Sequence, residues 1–532
     1  MAYRQAGRVT AKPAVRTRGN VFQSTSASEL PKARLVPRGH APRITPCRHP
    51  PRTRVSVMQS TSASELPEAR LAPCGHALDL RGRNRYNKSS QKATRDTEKG
   101  RDTMADIQPF RALRYNLDKA GSIQELTCPP YDIISESQRQ EYLARNGRNI
   151  IRLELPKDGE SPYQKAAQTL KSWLAEDILR LDMEPGLYLY EEEFLSQVDQ
   201  GERKRVRGLV CRVRLEDFST GVVLPHEETL SKAKEDRFQL LSATRCNFSS
   251  IYSLYQDPEG VTARRLENLA QSCPPRHAFS DGLVTHRLWV INDPVAIAAL
   301  QEDFAGRRLY IADGHHRYET GLRYRDTLQA QGTYLPGADF IMMTLTDMAD
   351  PGLVVFPTHR LVRSLDGFDS AALLEACREH FALAPQESRS ACQAALDQAY
   401  QRGQHAFALY DGAAWTLLTL KDPAVMDQLL PDKSQAYRLL DVSILHSLVL
   451  ERLLGIDKEN MASQKNLTYT RSAQEAEDSV RQGESQCCFL LNPTRVEEIG
   501  QVAQNGEKMP QKSTYFYPKL ITGLVMNSLE ES

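Results

Sequence analysis

Apolar residues recur along the chain with two alternating periods. Residues 163–180 repeat apolar side chains with the period of an amphipathic helix, whereas residues 186–194 and 206–215 are rich in the aromatic and β-branched residues typical of strands. A short apolar strand is predicted at 307–312, followed by a polar loop and then helical composition over 318–329. This alternation predicts a mixed α/β protein.

The same alternation continues toward the end of the chain and predicts a second α/β domain. Its predicted helices cover residues 369–381, 389–400, 436–453, 473–482 and 495–504, and its predicted strands cover residues 405–410, 414–420 and 487–491. We therefore expect an N-terminal catalytic α/β domain at 104–365 and a C-terminal α/β domain at 366–532. The tail of the second domain is expected to contribute to the site.

Residues 1–103 have a different composition from the rest of the chain. They are rich in Arg, Pro, Ser and Thr, lack either period, and contain a near-exact duplication of residues 23–41 at residues 59–77. Such a segment buries too little apolar surface to offset the entropy of ordering, so it is predicted to be a disordered basic leader. Because folded composition begins at Met104, the leader is interpreted as upstream sequence from a mis-assigned start, with a transit peptide or a nucleic-acid arm as alternatives.

Charge and composition exclude several classes of function. Residues 1–103 contain 21 Lys or Arg against 7 Asp or Glu, a net charge of +14, which leaves −13 for residues 104–532. A negative body repels a phosphate backbone, so nucleic-acid binding is not expected. No apolar run approaches the roughly 18 residues of a membrane helix. The ten cysteines include no CxxC pair, which disfavours zinc and predicts reduced core residues in a cytoplasmic protein.

The strongest candidate for chemistry is the loop of Asp313, Gly314, His315, His316 and Arg317. A glycine between a strand and a helix lets free backbone N–H groups approach an anion, and Arg317 can donate two hydrogen bonds to phosphate oxygens. The histidines can shuttle a proton, while Asp313 can orient a histidine or hold a metal. The alternative is a helix cap with two histidines in solvent, but three crowded donors favour a ligand.

Two further segments could serve the same site. The segment LPHEETLSKAKEDR, residues 224–237, offers a carboxylate base and places Lys234 and Arg237 three apart on a helix, where they could face one anion. Near the end, Lys512, Ser513, Thr514 and Lys519 could hold phosphate among aromatic neighbours. The alternatives are a solvated helix start with ordinary ion pairs and a buried aromatic segment.

Six separated segments, taken in order, resemble domain-of-unknown-function family 1015 over about residues 107–526. They read IQPFRALRYN, CPPYDII, LPHEETLSKAKEDR, YIADGHHRYETGLRYRD, FPTHRL and MPQKSTYFYPK. The pairing of PHE with DGHHR and a late PxKST segment is also similar to the free-serine kinases of the ParB/sulfiredoxin superfamily. This second resemblance implies a ParB/sulfiredoxin-like nucleotide-binding core.

The kinase resemblance implies roles for individual residues. Glu227 matches the general base, residues 313–317 match the phosphate-binding loop, and residues 512–514 match a tail segment near the site. Catalysis is thus expected from Glu227, Asp313, His315 and His316. Phosphate binding is expected from the following residues: Gly314, Arg317, Lys512, Ser513 and Thr514. Substrate binding is expected from Lys234, Arg237 and Arg360.

The implied reaction is phosphoryl transfer with Mg²⁺ and ATP or ADP. The partners are a nucleotide and free serine, or O-phosphoserine in the reverse or hydrolytic direction. The stretch between Glu227 and Asp313 is longer than in those kinases, which leaves the direction and the acceptor open. A nucleotide-gated, ParB-like binding protein without turnover is the alternative. A sulfiredoxin-like redox enzyme would need a cysteine where His315 stands.

Overall fold

The computed structural model describes residues 105–196, 201–229 and 231–530. All of these described residues lie in one compact unit. The predicted leader and its duplication fall outside the described residues. The secondary structure is mixed α/β, as predicted.

The strands are numbered in chain order. Those of the first part are β1 Ile107–Gln108, β2 Leu113–Tyr115, β3 Leu179–Leu181, β4 Leu187–Leu195, β5 Arg203–Arg214, β6 Val223–Leu224, β7 Cys246–Asn247, β8 Ile251–Tyr255, β9 His277–Ser280, β10 Val284–Ile291, β11 Leu309–Asp313, β12 Phe340–Asp347 and β13 Val354–Val355. Those of the second part are β14 His359–Val362, β15 Phe381–Gln386, β16 Ala406–Tyr410, β17 Trp415–Leu420, β18 Leu467–Thr470, β19 Cys487–Leu490, β20 Phe516–Tyr517 and β21 Asn527–Ser528.

The helices follow the same numbering. The earlier ones are α1 Leu117–Ala120, α2 Ile123–Leu126, α3 Glu136–Arg145, α4 Ile151–Glu154, α5 Pro162–Ala175, α6 Ser231–Thr244, α7 Val261–Ser272, α8 Pro294–Phe304 and α9 His315–Ala330. The later ones are α10 Ser370–Cys377, α11 Arg389–Gln401, α12 Val425–Leu429, α13 Gln435–Arg438, α14 Asp441–Leu445, α15 Lys458–Ser463, α16 Ala473–Arg481 and α17 Val496–Gln504. Short 3₁₀ turns and one π-helical segment complete them. No helix within the described ranges has both the length and the apolar character needed to span a bilayer.

A nine-stranded mixed sheet forms the first layer. Its strand order is β6-β11-β8-β12-β5-β4-β10-β9, and β1 pairs with β5. Most neighbours are antiparallel, but β11 runs parallel to β6 and β12 runs parallel to β8. Because β6 and β11 are parallel neighbours, the segments that follow them emerge at the same edge of the sheet. These segments carry Glu227 and Asp313.

A second, six-stranded sheet has the order β15-β17-β16-β19-β14-β18 and is antiparallel throughout. It encloses its own apolar cluster, which includes Phe407 and Phe489. In the sequence, the strands of the first sheet all precede residue 358 and those of the second sheet all follow it. The described residues nevertheless form one compact unit. The domain boundary at 365/366 therefore stays a prediction.

The tail of the chain returns from the second sheet to the first. Strand β20 pairs with β13, β21 pairs with β7, and Met509 bridges to Glu227 in parallel fashion. These pairings anchor residues 509–528 against the first layer. They bring the tail segment to the edge where β6 and β11 end.

Two predicted elements of the second part are wrong in detail. The predicted long helix at 436–453 is broken into α13, α14 and a π-helical segment, His446–Glu451, because Leu440 has an extended backbone at the start of α14. The helix predicted at 369–381 ends at Cys377, and the chain then forms β15, whose alternation of buried and exposed positions is weak. The cysteines agree better with the prediction: all eight described ones are free, and all of them except Cys273 are buried.

Candidate active site

A cavity of about 590 Å³ opens where β11 meets α9. It lies between the ends of β6 and β11, the turn after Pro130, the end of β18 and the returning tail. Its charged and histidine side chains are Asp132, Glu227, Asp313, His315, His316, Arg317, Arg471, Glu475, Lys512 and Lys519. The cavity thus collects four Lys or Arg side chains in a body whose net charge is negative.

Gly314 shapes the entrance to α9. Its φ is +100°, and a Cβ there would lie 2.9 Å from Nη2 of Arg317. The helix starts at His315 with no side-chain cap on its first N–H groups. Only glycine combines this backbone conformation with the close approach of the guanidinium. The helix N-terminus is consequently left open toward the cavity, where its N–H groups and dipole favour an anion.

The Asp313 carboxylate is held between two cations. Oδ2 accepts a hydrogen bond of 2.8 Å from Arg317, and Oδ1 accepts one from Nζ of Lys519. Burial acts to raise the pKa of Asp313, but the charges of Lys519 and Arg317 outweigh it and hold that pKa well below its usual range. Burial acts to lower the pKa of Lys519, and Asp313 with Asp132 outweighs it and raises that pKa. Asp313 and Lys519 therefore stay charged at neutral pH.

His226, in the segment after β6, connects the strand to the tail. Its Nδ1 lies 2.6 Å from the carbonyl oxygen of Ile311, which can only accept, so Nδ1 carries the proton. Nε2 then accepts from the Thr514 hydroxyl at 2.9 Å. The His226 carbonyl accepts from the backbone N–H of Met509 at 2.7 Å. Burial lowers the pKa of His226 to about 4, so the ring is neutral.

His315 has the opposite tautomer. Its Nε2 accepts the backbone N–H of His226 at 3.1 Å, so the neutral ring carries its proton on Nδ1. Nδ1 lies 3.9 Å from Oε2 of Glu227. Burial, followed by the neighbouring His226, lowers the pKa of His315 well below its usual value. His315 therefore presents a neutral N–H donor to the cavity and is not placed to accept a proton there.

Glu227 is the carboxylate best placed to accept a proton. Its side chain is 33% exposed, and its neighbour across the cavity is His315. Burial raises the pKa of Glu227, while Lys512, through its charge and a backbone hydrogen bond, lowers it by less. A carboxylate with a raised pKa is a stronger base than one in water.

Most residues predicted for the site come together around this cavity. Those that line it are Glu227, Asp313, Gly314, His315, His316, Arg317, Lys512 and Thr514. Arg317 already donates to Asp313 and to the carbonyl of Ser250, which leaves only its remaining N–H groups for a ligand. Asp313 has both oxygens in ion pairs, so the structure favours an orienting role for it over metal binding.

Four predicted residues do not line the cavity. Ser513 is buried and donates to the carbonyl of Pro510. Lys234 pairs with Glu319, whereas Arg237 is buried.

Arg237 donates to the carbonyl of Glu154 and to Asp236, and its guanidinium lies 4.0 Å above the Tyr131 ring. Lys234 and Arg237 thus have separate partners, because burial against Glu154 and Tyr131 turns Arg237 inward. Arg360 is buried behind the cavity, where it donates to the carbonyl of Lys512 and to Nε2 of His446. Its contact is with the backbone of the site and not with the cavity.

Several lining residues were not assigned to the site from sequence. Tyr131 and Asp132 follow two prolines whose rigid turn was the only local signal. Arg471 lies with its guanidinium 4.0 Å above the Tyr515 ring, and Nζ of Lys519 lies 4.5 Å from the same ring. Arg471 follows β18 in a segment with no motif, so no pattern could have identified it.

The family model described as "Protein of unknown function (DUF1015)" matches residues 107–443, more than half of the chain. The chain belongs to this family. The matched range includes the cavity residues from Tyr131 to Thr358, but not β18 or the tail. In this DUF1015 protein the family region therefore supplies the loop after β11 and Glu227, and the rest of the chain completes the lining of the cavity.

Solved structures similar to this DUF1015 protein are distant. A conserved hypothetical protein from Pyrococcus furiosus has a TM-score of 0.30 at 15% identity, covering 61% of this chain and 96% of that one. A free serine kinase in complex with AMP has a TM-score of 0.30 at 14% identity, covering 58% of this chain and 86% of that one. SbnI with a C-terminal truncation, from Staphylococcus aureus, has a TM-score of 0.28 at 13% identity, covering 59% of this chain and 86% of that one.

The ParB/sulfiredoxin-like character of the core stays a prediction from the sequence motifs. A search of curated proteins found no match.

The contact between Gly314 and Arg317 predicts a specific cost for Gly314→Ala. Gly332→Ala is the matched control, since Gly332 also has a positive φ but nothing lies within 4 Å of an added Cβ. Both variants strain the backbone, but only the first displaces a guanidinium hydrogen-bonded to Asp313 and Ser250. Gly314→Ala should lower the free energy of unfolding by about 1 kcal/mol more than the control, measured by chemical denaturation. Equal losses would contradict this packing.

Neutral His226 predicts a pH dependence of stability. Its pKa falls from 6.5 to about 4 on folding, so between these values the unfolded state binds more protons and the free energy of unfolding decreases as the pH falls. In His226→Gln this contribution is absent. The slope of that free energy against pH should be shallower than in the wild type by up to about 1.4 kcal/mol per pH unit, measured by denaturation from pH 7 to 4.5. Identical slopes would refute a neutral His226.

Proposed function

We propose that this protein transfers a phosphoryl group between a nucleotide and the hydroxyl of a small amino acid, with free serine as the first candidate. The observation that carries the proposal is the pairing of the Glu227 carboxylate with the open start of α9 across one cavity, where Glu227 Oε2 lies 3.9 Å from Nδ1 of His315. Serine comes from the motif resemblance to free-serine kinases. No feature of the cavity selects it over other small hydroxyl compounds.

Glu227 acts as the general base in this proposal. It accepts the hydroxyl proton as the oxygen attacks phosphorus, and burial, which raises its pKa, strengthens it for this task. Lys512 acts to lower the pKa of the same carboxylate, which keeps Glu227 able to ionise and accept the proton. In the reverse direction Glu227 returns the proton to the serine oxygen.

The transferring phosphate is held by donors that line the cavity. These are the first N–H groups of α9, Nδ1–H of His315 and the side chain of Lys512, and each would be most useful as negative charge spreads over the phosphoryl oxygens. His316 lines the same wall. Asp313 acts through Lys519 and Arg317 as a positioning residue that keeps the loop and the tail together.

Magnesium is compatible with this donor set only as a partner of the phosphates. No group of three or more His, Cys, Asp or Glu side chains among the described residues is arranged to hold a metal ion. Mg²⁺ in phosphotransfer sites binds mainly through phosphates and one or two carboxylates. The exposed carboxylate of Asp132 lines the cavity and is the side chain that would hold the ion, which when bound supplies neutralisation of phosphate charge.

Glu227→Gln tests the base. The amide keeps the shape of the side chain but cannot accept the proton, so kcat should fall by about 10²-fold or more while the thermal midpoint stays close to that of the wild type. Glu228→Gln is the control, because Glu228 is the exposed neighbour and does not line the cavity. Unchanged turnover in Glu227→Gln would remove Glu227 from the mechanism.

Phosphorus NMR on the full chain with Mg²⁺ tests the reaction itself. One sample contains serine with ATP or ADP, and another contains O-phosphoserine with or without ADP. Formation of O-phosphoserine is the expected result and defines a kinase, whereas its loss with gain of nucleotide phosphate or inorganic phosphate defines the reverse transferase or a phosphatase. Nucleotide binding with no change in either sample would refute serine phosphotransfer and leave a nucleotide-gated binding protein.

A further inference from the structure

A second cavity of about 620 Å³ adjoins the candidate active site. The two cavities share three lining residues, Arg471, Glu475 and Tyr515. The second cavity extends from this shared wall toward α11 and the strand β14. None of the functions described so far uses it.

One wall of the second cavity is aromatic. The rings of Phe356 and Tyr517 stack with centroids 4.7 Å apart and planes 20° apart, and Tyr515 lies nearly parallel to Phe356 at 6.3 Å. Tyr515 and Tyr517 are only half-buried, so part of their surface is available to the cavity. Flat, partly exposed aromatic surfaces bind planar heterocycles by stacking.

A buried polar group faces the same cavity. His359 is only 3% exposed, and its Nδ1 accepts the backbone N–H of Leu491 at 3.3 Å. The neutral ring therefore carries its proton on Nε2, and His359 is one of the residues that line the cavity. This N–H is a donor available to an acceptor atom of a ligand in the cavity.

The charges of the two cavities differ in a way that suits one kind of ligand. Arg471 and Glu475 line both cavities. Beyond these, the first cavity has the cations Arg317, Lys512 and Lys519 beside the carboxylates Asp132, Glu227 and Asp313, whereas the charged residue that lines the second is Asp397. A polyanion is thus favoured only in the first cavity, and a neutral planar group with donor and acceptor edges suits the second. Arg471 lies between them.

We infer that the second cavity binds the nucleobase of the nucleotide whose phosphates occupy the first cavity. This inference rests on the proposed function. The base stacks on the aromatic wall, a ring nitrogen or carbonyl of the base accepts from Nε2 of His359, and the connecting sugar passes Arg471 and Tyr515. The volume of the second cavity greatly exceeds what serine requires. We therefore assign the small acceptor to the first cavity, beside Glu227.

The test compares binding of ADP and inorganic pyrophosphate to the full chain by titration calorimetry. Tyr517→Leu removes part of the aromatic wall, and Tyr334→Leu makes the same change at a residue that is 78% exposed and outside both cavities. Wild type and Tyr334→Leu should bind ADP about tenfold more tightly than pyrophosphate. Tyr517→Leu should lose most of this advantage while its affinity for pyrophosphate is unchanged.

The outcomes separate this inference from the proposed function. Equal affinity for ADP and pyrophosphate in the wild type, which needs no variant, would overturn the nucleobase site and leave the phosphate site intact. The nucleobase site would also be overturned if folded Tyr517→Leu still bound ADP about tenfold more tightly than pyrophosphate. Failure of both ligands to bind would overturn the phosphate site, and the nucleobase site with it.

Discussion

The arrangement of the site depends on the ion pairs that Asp313 makes with Lys519 and Arg317. Lys519 lies 206 positions away from Asp313 in the chain, so this contact ties the returning tail to the loop after β11. The carboxylate is tolerated at low exposure because its attraction to the two cations offsets the cost of removing it from water. Together with the pairing of β20 with β13, this triad holds Lys512, Thr514 and Tyr515 beside the start of α9, where they line the cavity.

A second constraint is the pair of buried histidines with opposite tautomers. His226 donates from Nδ1 to the carbonyl oxygen of Ile311 in β11 and accepts from the Thr514 hydroxyl. His315 accepts from the backbone N–H of His226, so its own N–H points toward Glu227. Each tautomer is dictated by a partner with only one hydrogen-bonding role. The chain of bonds runs from β11 through the segment after β6 to the tail, so the donor facing Glu227 is oriented by groups outside the cavity.

The sequence predicts what is local. The loop from Asp313 to Arg317 was expected between a strand and a helix, and it lies there because Gly314 and the apolar strand before it are sufficient signals. Contacts between distant segments carry no such signal: Ser513 and Thr514 are adjacent, yet only Thr514 faces the cavity, and Arg471 follows an ordinary strand. The predicted helix at 436–453 failed because the periodicity of its apolar residues is compatible both with one helix and with the broken set that packs His446 against Arg360.

The return of the tail also has a consequence for biosynthesis. Ribosomes release the chain from its first residue onward, and domains fold as they emerge. Tyr131, Glu227 and the loop at 313–317 appear early, but the cavity cannot close until Lys519 has followed them through the exit tunnel. A nascent chain therefore has Glu227 and the loop at 313–317 before it has the lysine that pairs with Asp313, and the cavity is complete only once Lys519 has emerged.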